Sequence, residues 1–483
     1  MLTGGSLGFH SQASGPPLLP PRPLATPIGA KIILQEVLEM NNYLSKIPNA
    51  TVIELPEALE GYRTDESHII GDLPLAVVKP KGPDALRALV CVAKGEGLTL
   101  VPRGTGTGKA GGALPVGASI VVDLSEYPGD IEASPEAMVL RAPVSAFLRE
   151  IKATALGKGL YYPPDPNSWD QCSFGGSLAT NAGGPSACKY GVTRHWVLSV
   201  DALMEDGEIH RFGAEIVKNN AGPNIAQLLI GSEGIFGIII SAAVRLIPAP
   251  KERIAMLLPV SSWGDLLGLP SRLVGGGLVP SALEFWDPQV LQHLRRFGPE
   301  DARSLPGEAL AILEFDDADC AGEKFLGNVM DLLGPLAEYA QAATGERQRE
   351  AVWAVRRQTS TMLKEHFPHK VSEDIAVPRP KIRAFFDGAQ RLGLPIATYG
   401  HLGDGNLHVN ILAKLERDKM EANVMSLFRL ALELGGTITG EHGVGLAKRE
   451  AFLALSDPWQ VAAIRAVKNA LDPCGVFNSG KVI

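Results

Sequence analysis

Two histidines that flank a turn form the densest group of potentially reactive side chains in the sequence. His401 and His408 stand on either side of a turn that contains Asp-Gly-Asn at 404–406. After the turn, apolar and polar residues alternate, which predicts a strand over 407–412. The period of two then places His408 and Asn410 on one face of that strand.

A second glycine-rich turn, at 440–445, adds a carboxylate and an imidazole in Glu441 and His442. Two imidazoles and a carboxylate could hold one divalent ion and leave coordination positions open. Histidines that flank a turn are, however, more often structural than metal ligands. On the residues alone, a metal site and a structural cluster both stay open.

Glycine is abundant, at 53 of 483 residues, and much of it falls in three clusters at 102–112, 172–184 and 231–238. The first cluster contains the pattern G-x-G-x-x-G after a predicted strand. A dinucleotide-binding fold needs a helix to begin there, and the two glycines and one proline of 112–117 cannot begin a stable helix. We therefore expect a loop of free backbone N–H groups able to wrap an anion such as a pyrophosphate. A flexible surface loop is the alternative.

Composition excludes several classes of protein. The 45% apolar content excludes wholesale disorder, and a net charge of −8 argues against a nucleic-acid-binding protein. Five cysteines without a C-x-x-C pair argue against a disulfide scaffold, a zinc ribbon or a cysteine-ligated iron–sulfur cluster. No apolar run reaches the ~20 residues of a membrane span, and the N-terminus lacks the pattern of a secretory signal. We therefore expect a cytoplasmic protein.

Alternating strands and helices organise the chain. A Pro- and Gly-rich stretch at 1–30 predicts a flexible tail, and a helical stripe begins near Lys31. Two α/β units follow, with a division near 130 and a proline boundary near 250. Strands are predicted near 75–78, 98–101, 119–124, 197–204, 235–246, 254–260, 282–286 and 310–315, and helices over 83–94 and 144–155.

Several motifs in one order carry a family resemblance. They are PRGTGTGKAGGALP, PPDPNSWDQCSFGGSLATNAGG, KYGVTR and GSEGIFGIIISAAVRLIP, followed by the two histidine turns. Over 45–483 the chain resembles flavoproteins of the vanillyl-alcohol-oxidase type, and more narrowly the FAD-linked D-2-hydroxyacid dehydrogenases, which include the glycolate oxidase FAD subunit. The resemblance implies an α+β fold with a two-subdomain FAD-binding domain at 31–250, an α+β substrate-binding cap at 251–425 and a helical C-terminal segment at 426–483.

The resemblance also implies where FAD binds. No histidine lies in 102–113, where some relatives attach FAD covalently, so non-covalent FAD is expected. The residues implied to bind FAD are Pro102, Arg103, Gly104, Thr105, Gly106, Thr107, Gly108, Gly111, Gly112, Pro164, Asp165, Gly175, Gly176, Thr180, Asn181, Gly183, Glu233, Gly234, Ile238 and Asn478.

By the same resemblance, the histidine cluster is the reaction centre. His401, His408 and Glu441 match ligands of zinc or manganese, and His442 matches the catalytic histidine. The residues implied to act on or contact the substrate are His442, Arg356, Asn410, Ser360 and Lys370. Arg356 matches the arginine that pairs with the substrate carboxylate, a task suited to a guanidinium.

The implied reaction is oxidation of a small D-2-hydroxy acid, of the glycolate or D-lactate type, to the 2-oxo acid. Hydride passes to flavin N5, and an acceptor other than NAD, such as a quinone or a partner protein, takes the electrons. Partner subunits including an iron–sulfur protein, and membrane association through such partners, are compatible with this reaction. The alternatives are a D-2-hydroxyglutarate dehydrogenase and a non-catalytic FAD-binding subunit. An alkyl-glycerone-phosphate synthase would carry a further histidine in place of Glu441.

Overall fold

The computed structural model describes residues 44, 46–317, 320 and 322–483. Every element named below belongs to the unit that spans 47–483. The predicted tail at 1–30 and the helical stripe from Lys31 lie outside the described residues. Among the described residues the helices are Pro56–Leu59, Pro83–Glu96, Leu148–Leu156, Phe174–Thr180, Ala187–Tyr190, Ala226–Leu229, Trp263–Leu266, Leu269–Gly275, Pro288–Phe297, Glu300–Arg303, Glu323–Leu333, Glu346–His366, Ile382–Arg391, Arg417–Glu433, Arg449–Leu455 and Pro458–Leu471.

A four-stranded sheet opens the described chain, with the strand order β1-β2-β4-β3. Its strands are β1 (Ala50–Ile53), β2 (Ala76–Pro80), β3 (Thr99–Arg103) and β4 (Ser119–Asp123). Strands β2, β4 and β3 are parallel, because the helix Pro83–Glu96 returns the chain between β2 and β3. The first glycine cluster begins at the carboxyl end of β3 and continues without a helix to β4, as predicted.

A five-stranded antiparallel sheet follows, with the order β5-β6-β10-β8-β9. Its strands, with the two-stranded pair β7 and β11, are β5 (Glu132–Ser134), β6 (Val139–Pro143), β7 (Leu160–Tyr161), β8 (Val197–Leu203), β9 (Ile209–Gly213), β10 (Ile238–Arg245) and β11 (Ile247–Pro248). Strand β10 begins three residues later than predicted, because Gly234 and Gly237 have positive φ angles that interrupt extended pairing. The predicted helix over 144–155 begins only at Leu148, after a turn.

The largest sheet is antiparallel and has seven strands, in the order β15-β12-β14-β13-β17-β18-β16. They are β12 (Ile254–Val260), β13 (Ala282–Trp286), β14 (Ala309–Phe315), β15 (Gln341–Ala343), β16 (Val371–Ala376), β17 (Ile396–His401) and β18 (Asn406–Ile411). Alternate residues face two apolar clusters, so both faces are covered. The helix Glu346–His366 covers one face and buries Arg356 and Thr359 there. The hairpin β17–β18 is the predicted histidine turn.

The end of the chain returns to the first sheet. After the helix Pro458–Leu471, the backbone N–H of Leu100 donates to Val476, and the N–H of Asn478 donates to the Leu100 carbonyl. The α+β class and the helical character of the last segment are therefore confirmed. The predicted domain boundaries at 250 and 425 stay predictions.

Candidate active site

The three glycine loops and the histidine cluster line one cavity of about 2350 Å³. Ordinary small-molecule pockets measure ~300–1,000 Å³, so this cavity has room for a large cofactor beside a substrate. The predicted site residues in its lining are Pro102, Arg103, Gly104, Thr105, Gly106, Thr107, Gly108, Gly112, Asp165, Gly175, Gly176, Thr180, Gly183, Glu233, Gly234, Ile238, Arg356, Ser360, Lys370, His401, His408, Glu441 and His442. Five predicted residues stand outside the lining, namely Gly111, Pro164, Asn181, Asn410 and Asn478.

The first glycine loop presents buried donors that have no protein partner among the described residues. These donors are Nη1 of Arg103 and the Thr105 hydroxyl. Nη2 of Arg103 donates to the Thr64 carbonyl over 2.8 Å and so fixes the guanidinium. Gly106 adopts a φ of +74°, and a Cβ there would lie 2.6 Å from Arg103 Nη2. Unsatisfied buried donors are rare in proteins, and here they fit the oxygens of a pyrophosphate.

The second glycine loop is folded tightly around Asp165. Its carboxylate accepts hydrogen bonds from the backbone N–H and the hydroxyl of Ser186, over 3.0 and 2.7 Å. Burial raises the pKa of Asp165 to about 6. Gly184 has a φ of +134°, and a Cβ there would lie 2.2 Å from the Asp165 carbonyl oxygen. Asn181 ends the preceding helix in a left-handed conformation, and its Oδ1 accepts from the Arg194 N–H rather than facing the cavity.

The third glycine loop is joined to both C-terminal motifs through Glu233. Its Oε1 accepts from the Val444 N–H over 2.7 Å, and its Oε2 has no partner within the described chain. Nδ2 of Asn478 donates to the Glu233 and Gly112 carbonyls, over 2.6 and 2.9 Å. Lys481 is buried and donates to Asn478 Oδ1 over 2.6 Å. Asn478 therefore stands behind two of the cofactor loops and holds them together.

Three imidazoles surround the carboxylate of Glu441. Its oxygens lie 3.8 Å from Nε2 of His401, 3.7 Å from Nε2 of His408 and 3.5 Å from Nε2 of His442. These separations are long for hydrogen bonds. They are near the ~3.4 Å that divides two ligands of one tetrahedral zinc ion. The donor set and its spacing therefore fit a divalent ion.

Burial and neighbouring charges shift the pKa values of His401 and Glu441 in opposite directions. Burial lowers the pKa of His408 to about 3, so its imidazole is neutral and keeps a lone pair. Burial alone would lower the pKa of His401 and raise that of Glu441. The charges of Glu284 and Glu441 instead hold the pKa of His401 well above its usual value, and the histidines hold the pKa of Glu441 well below its own. A metal ion would have to displace the proton from Nε2 of His401.

Asp374 fixes the loop that carries Glu441 and His442. Its Oδ2 accepts from the backbone N–H groups of Gly440, Glu441 and His442 over 2.9–3.0 Å, and from the hydroxyl of Thr439 over 3.1 Å. Burial alone would raise the pKa of Asp374, but neighbouring cations hold it well below its usual range. Possible ligand atoms of Asp374, His408, Glu441 and His442 all lie within 4.8 Å of one another. The structure thus offers a second donor set, in which Asp374 and His442 replace His401.

Arg356 is paired with Glu284, a residue that the sequence reasoning missed. Nε of Arg356 donates to one oxygen of Glu284 over 2.6 Å, and Nδ1 of His401 donates to the other over 2.5 Å. Glu284 is fully buried in β13. A carboxylate in a strand of otherwise apolar residues was the signal, because buried charges need partners.

Asn410 lies behind the cavity wall, although it was predicted to contact the substrate. Its Oδ1 accepts from Lys370 over 3.0 Å and from Ser372 over 2.9 Å, and its Nδ2 donates to the carbonyls of Ala397 and His408. Lys370 lines the cavity, and burial, with help from neighbouring lysines, lowers its pKa to about 8. Ser360 lines the cavity four residues after Arg356 on the same helix.

Both halves of the chain match models of known protein families. Residues 74–213 match the model of an FAD binding domain, and 249–482 match that of FAD linked oxidases, C-terminal domain. The glycolate oxidase subunit GlcD of Bacillus subtilis is 31% identical over 87% of this chain and 91% of its own. The D-lactate dehydrogenase of Archaeoglobus fulgidus is 32% identical over 89% of this chain and 97% of its own.

A solved structure shows the same fold. The 4-ethylphenol oxidase of Gulosibacter chungangensis superposes with a TM-score of 0.72 and 16% identity, over 94% of this chain and 97% of its own. Among the described helices, none has the length and apolar character needed to cross a membrane.

Proposed function

The chain belongs to the family of FAD-linked oxidases, and from that membership we propose that it oxidises a small D-2-hydroxy acid, of the glycolate or D-lactate type, to the 2-oxo acid. One observation carries the proposal. The buried guanidinium of Arg356 and the Glu441 cluster face the same cavity as the glycine loops. A carboxylate-binding cation and a group able to take a proton thus lie beside the cofactor loops, as this reaction requires.

The glycine loops would hold FAD. The free donors of Arg103 and Thr105 suit its pyrophosphate, and the loop around Asp165 and Gly184 would line its ring system. FAD, when bound, supplies the two-electron acceptor for the hydrogen on the substrate Cα. No histidine is present at 102–113 to form a covalent link, so we propose that FAD is bound non-covalently. Acid precipitation should release the yellow cofactor into the supernatant, and a coloured pellet would contradict this proposal.

The histidine cluster would hold a divalent ion, zinc or manganese, through His401, His408 and Glu441. Such an ion supplies Lewis acidity toward the substrate hydroxyl. Neutral His408 has a free lone pair for it, and Glu441 is ionised. Chelation followed by dialysis should abolish substrate oxidation, and full activity of a metal-free preparation would remove the ion from the proposal.

The remaining residues would orient the substrate and move its proton. Arg356 binds the carboxylate with its two Nη groups, since Nε is already engaged by Glu284. His442 takes the hydroxyl proton. Its side chain, 26% exposed, is the most accessible of the three imidazoles around Glu441. Asp374 holds the backbone of His442 in place.

A second candidate substrate is D-2-hydroxyglutarate, and Lys370 favours it. Lys370 reaches the cavity, and it donates a hydrogen bond to the neutral amide of Asn410 rather than to a carboxylate. A distal substrate carboxylate could pair with this ammonium. The small hydroxy acids remain the first candidates, because they need Arg356 alone.

An anaerobic panel of hydroxy acids tests the function. The purified flavoprotein would be mixed with glycolate, the two enantiomers of lactate and the two enantiomers of 2-hydroxyglutarate, while flavin absorbance near 450 nm is followed. Bleaching by a D-2-hydroxy acid or glycolate, but not by the L-enantiomers, is expected. Absence of bleaching by the whole panel would favour the non-catalytic FAD-binding subunit.

We propose that electrons leave through a quinone or a protein partner rather than NAD. The first glycine loop leads into no helix that could begin a nicotinamide-binding motif. The substrate-reduced flavin should be reoxidised by a soluble quinone analogue and not by NAD⁺. Rapid reoxidation by NAD⁺ would overturn this part of the proposal.

A further inference from the structure

We infer that Glu284 is a positioning residue that sets two functional groups at once, the imidazole of His401 and the guanidinium of Arg356. Glu284 is fully buried and absent from the lining of the cavity, so it cannot touch a substrate there. Its two oxygens accept from His401 Nδ1 over 2.5 Å and from Arg356 Nε over 2.6 Å. The inference rests on the proposed function, because the roles of His401 and Arg356 come from it.

The pairing of strands in the large sheet places Glu284 beside His401. Strands β13 and β17 pair antiparallel, with Glu284 directly opposite His401 and Trp286 opposite Tyr399. Directly opposite residues share one face of a sheet, with Cβ atoms about 5 Å apart. The helix Glu346–His366 covers that face, and Arg356 places its guanidinium 4.7 Å from the centre of the Tyr399 ring. Three elements distant in sequence therefore meet at one carboxylate.

The hydrogen-bond donors determine what this carboxylate does. An ionised carboxylate only accepts, so Nδ1 of His401 must carry a proton, and Nε2 is the atom that points toward Glu441. In metal sites, a carboxylate behind a histidine fixes the ring and its tautomer in this way. The second oxygen occupies Nε of Arg356 and leaves both Nη groups for a substrate carboxylate. Glu284 thus links the proposed metal ligand His401 to Arg356, which would bind the substrate carboxylate.

Glu284→Gln is the sharpest test. The amide has one acceptor oxygen and one NH₂ donor, yet it faces two N–H donors, so it can satisfy only one of them. The matched control is Asp287→Asn. Asp287 is a buried carboxylate in the adjoining turn. It accepts from the backbone N–H groups of Val290 and Thr398, and neither His401 nor Arg356 is among its hydrogen-bond partners. It lies outside the cavity lining.

Three measurements on the FAD-loaded protein separate the outcomes. With ¹⁵N-labelled histidine and arginine, the wild-type protein should show slowly exchanging proton signals from His401 Nδ1–H and Arg356 Nε–H, assigned with His401→Asn and Arg356→Lys. Glu284→Gln should lose at least one of these signals. Its dissociation constant for Zn²⁺ or Mn²⁺, by chelator competition, should rise roughly 10–100-fold. The KM for the best hydroxy acid should also rise, whereas Asp287→Asn should match the wild type in all three measurements.

Failure of the inference and failure of the proposed function give different results. If Glu284→Gln keeps both signals and the wild-type metal affinity and KM, the positioning role is wrong. If the wild-type protein binds neither metal and oxidises no hydroxy acid, the proposed function fails, while the NMR signals still decide whether Glu284 holds both groups. Glu284→Asp keeps two acceptor oxygens and should recover part of the metal affinity. It replaces the Gln variant in every comparison if that variant does not fold.

Discussion

The cofactor side and the histidine side of the cavity differ in whether main-chain groups or charged side chains form most of the site. The cofactor side consists mainly of backbone, as glycine loops held by hydrogen bonds to main-chain groups, such as those of Asn478 to the Gly112 and Glu233 carbonyls. Arg103 and Thr105 add side-chain donors to it. The histidine side depends on charged side chains. Glu284 and Glu441 lie against imidazoles, and Asp374 holds the backbone of the loop that carries His442. A backbone site tolerates exchange of side chains but not added volume, whereas a charged site depends on each side chain.

The largest effect is expected on the histidine side. His442→Ala should slow flavin reduction by the hydroxy acid roughly 10²–10⁴-fold, since this is the usual contribution of a general base. Anaerobic stopped-flow absorbance measures the rate directly. FAD content should stay at the wild-type level, because the cofactor side is untouched. His210→Ala is the control, since His210 pairs with Asp206 on the exposed surface. A reduction rate close to that of the wild type would remove His442 from the proton transfer.

Asp374→Asn should cost about 2–4 kcal/mol of unfolding free energy at pH 7, because one carboxylate oxygen holds three backbone N–H groups and a hydroxyl. The pKa of Asp374 is held below its unfolded value, so this stabilisation is present above about pH 4. It is lost as the pH falls through the folded pKa. The difference between wild type and variant in urea denaturation should therefore shrink from about pH 5 toward pH 2.

For Asp287→Asn, the stability difference from the wild type should depend on pH in the opposite direction. Burial raises the pKa of Asp287 to about 7, so the folded state binds a proton that the unfolded state releases near pH 4. Wild-type stability relative to this variant should thus fall as the pH rises from about 4 to 7. The same pH trend in both variants would show that the two carboxylates are not in the electrostatic environments described.

The same contrast between backbone and charge explains which parts of the fold and the site could be predicted from the sequence. The first glycine loop is contiguous in sequence and follows a strand that periodicity predicts, so β3 and its loop were predicted to within two residues. Glu284 stands out in sequence as a carboxylate in an apolar strand, but its partner His401 could not be predicted. That pairing depends on the register between β13 and β17, and the two residues are 117 positions apart along the chain. Asp374 could not be identified locally either, because its four donors come from a loop more than sixty residues later. Asn410 was placed on the correct strand face, yet the packing of Lys370 in front of it could not be read locally.

On the cofactor side, a single added methyl group should weaken FAD binding without changing the stability of the fold. Gly108 lines the cavity, and a Cβ built there meets no heavy atom of the described protein within 4 Å. Gly108→Ala should therefore leave the melting temperature of the FAD-free protein unchanged. It should weaken FAD binding more than tenfold, about 1.4 kcal/mol, by excluding cofactor atoms from the loop.

Flavin fluorescence titration of the FAD-free protein measures that affinity. Gly95→Ala is the matched control, since a Cβ there also meets open space, on the helix Pro83–Glu96 away from the cavity lining. That variant should bind FAD as the wild type does. Equal FAD affinity for Gly108→Ala and the wild type would mean that this part of the loop does not approach the cofactor.

The smallest expected effect comes from Lys481, an ionisable side chain that is buried on the cofactor side. Burial lowers the pKa of Lys481 to about 7, whereas the unfolded chain keeps this proton up to about pH 10. The unfolded state then binds more protons, so the free energy of unfolding should rise by about 1 kcal/mol between pH 7.5 and 8.5. Lys481→Met should lack this increment in urea denaturation, while exposed Lys158→Met should retain it. If Lys481→Met keeps the full increment, Lys481 is charged in the folded protein. The cofactor side would then hold a further cation in addition to Arg103, and charged side chains would matter there as they do on the histidine side.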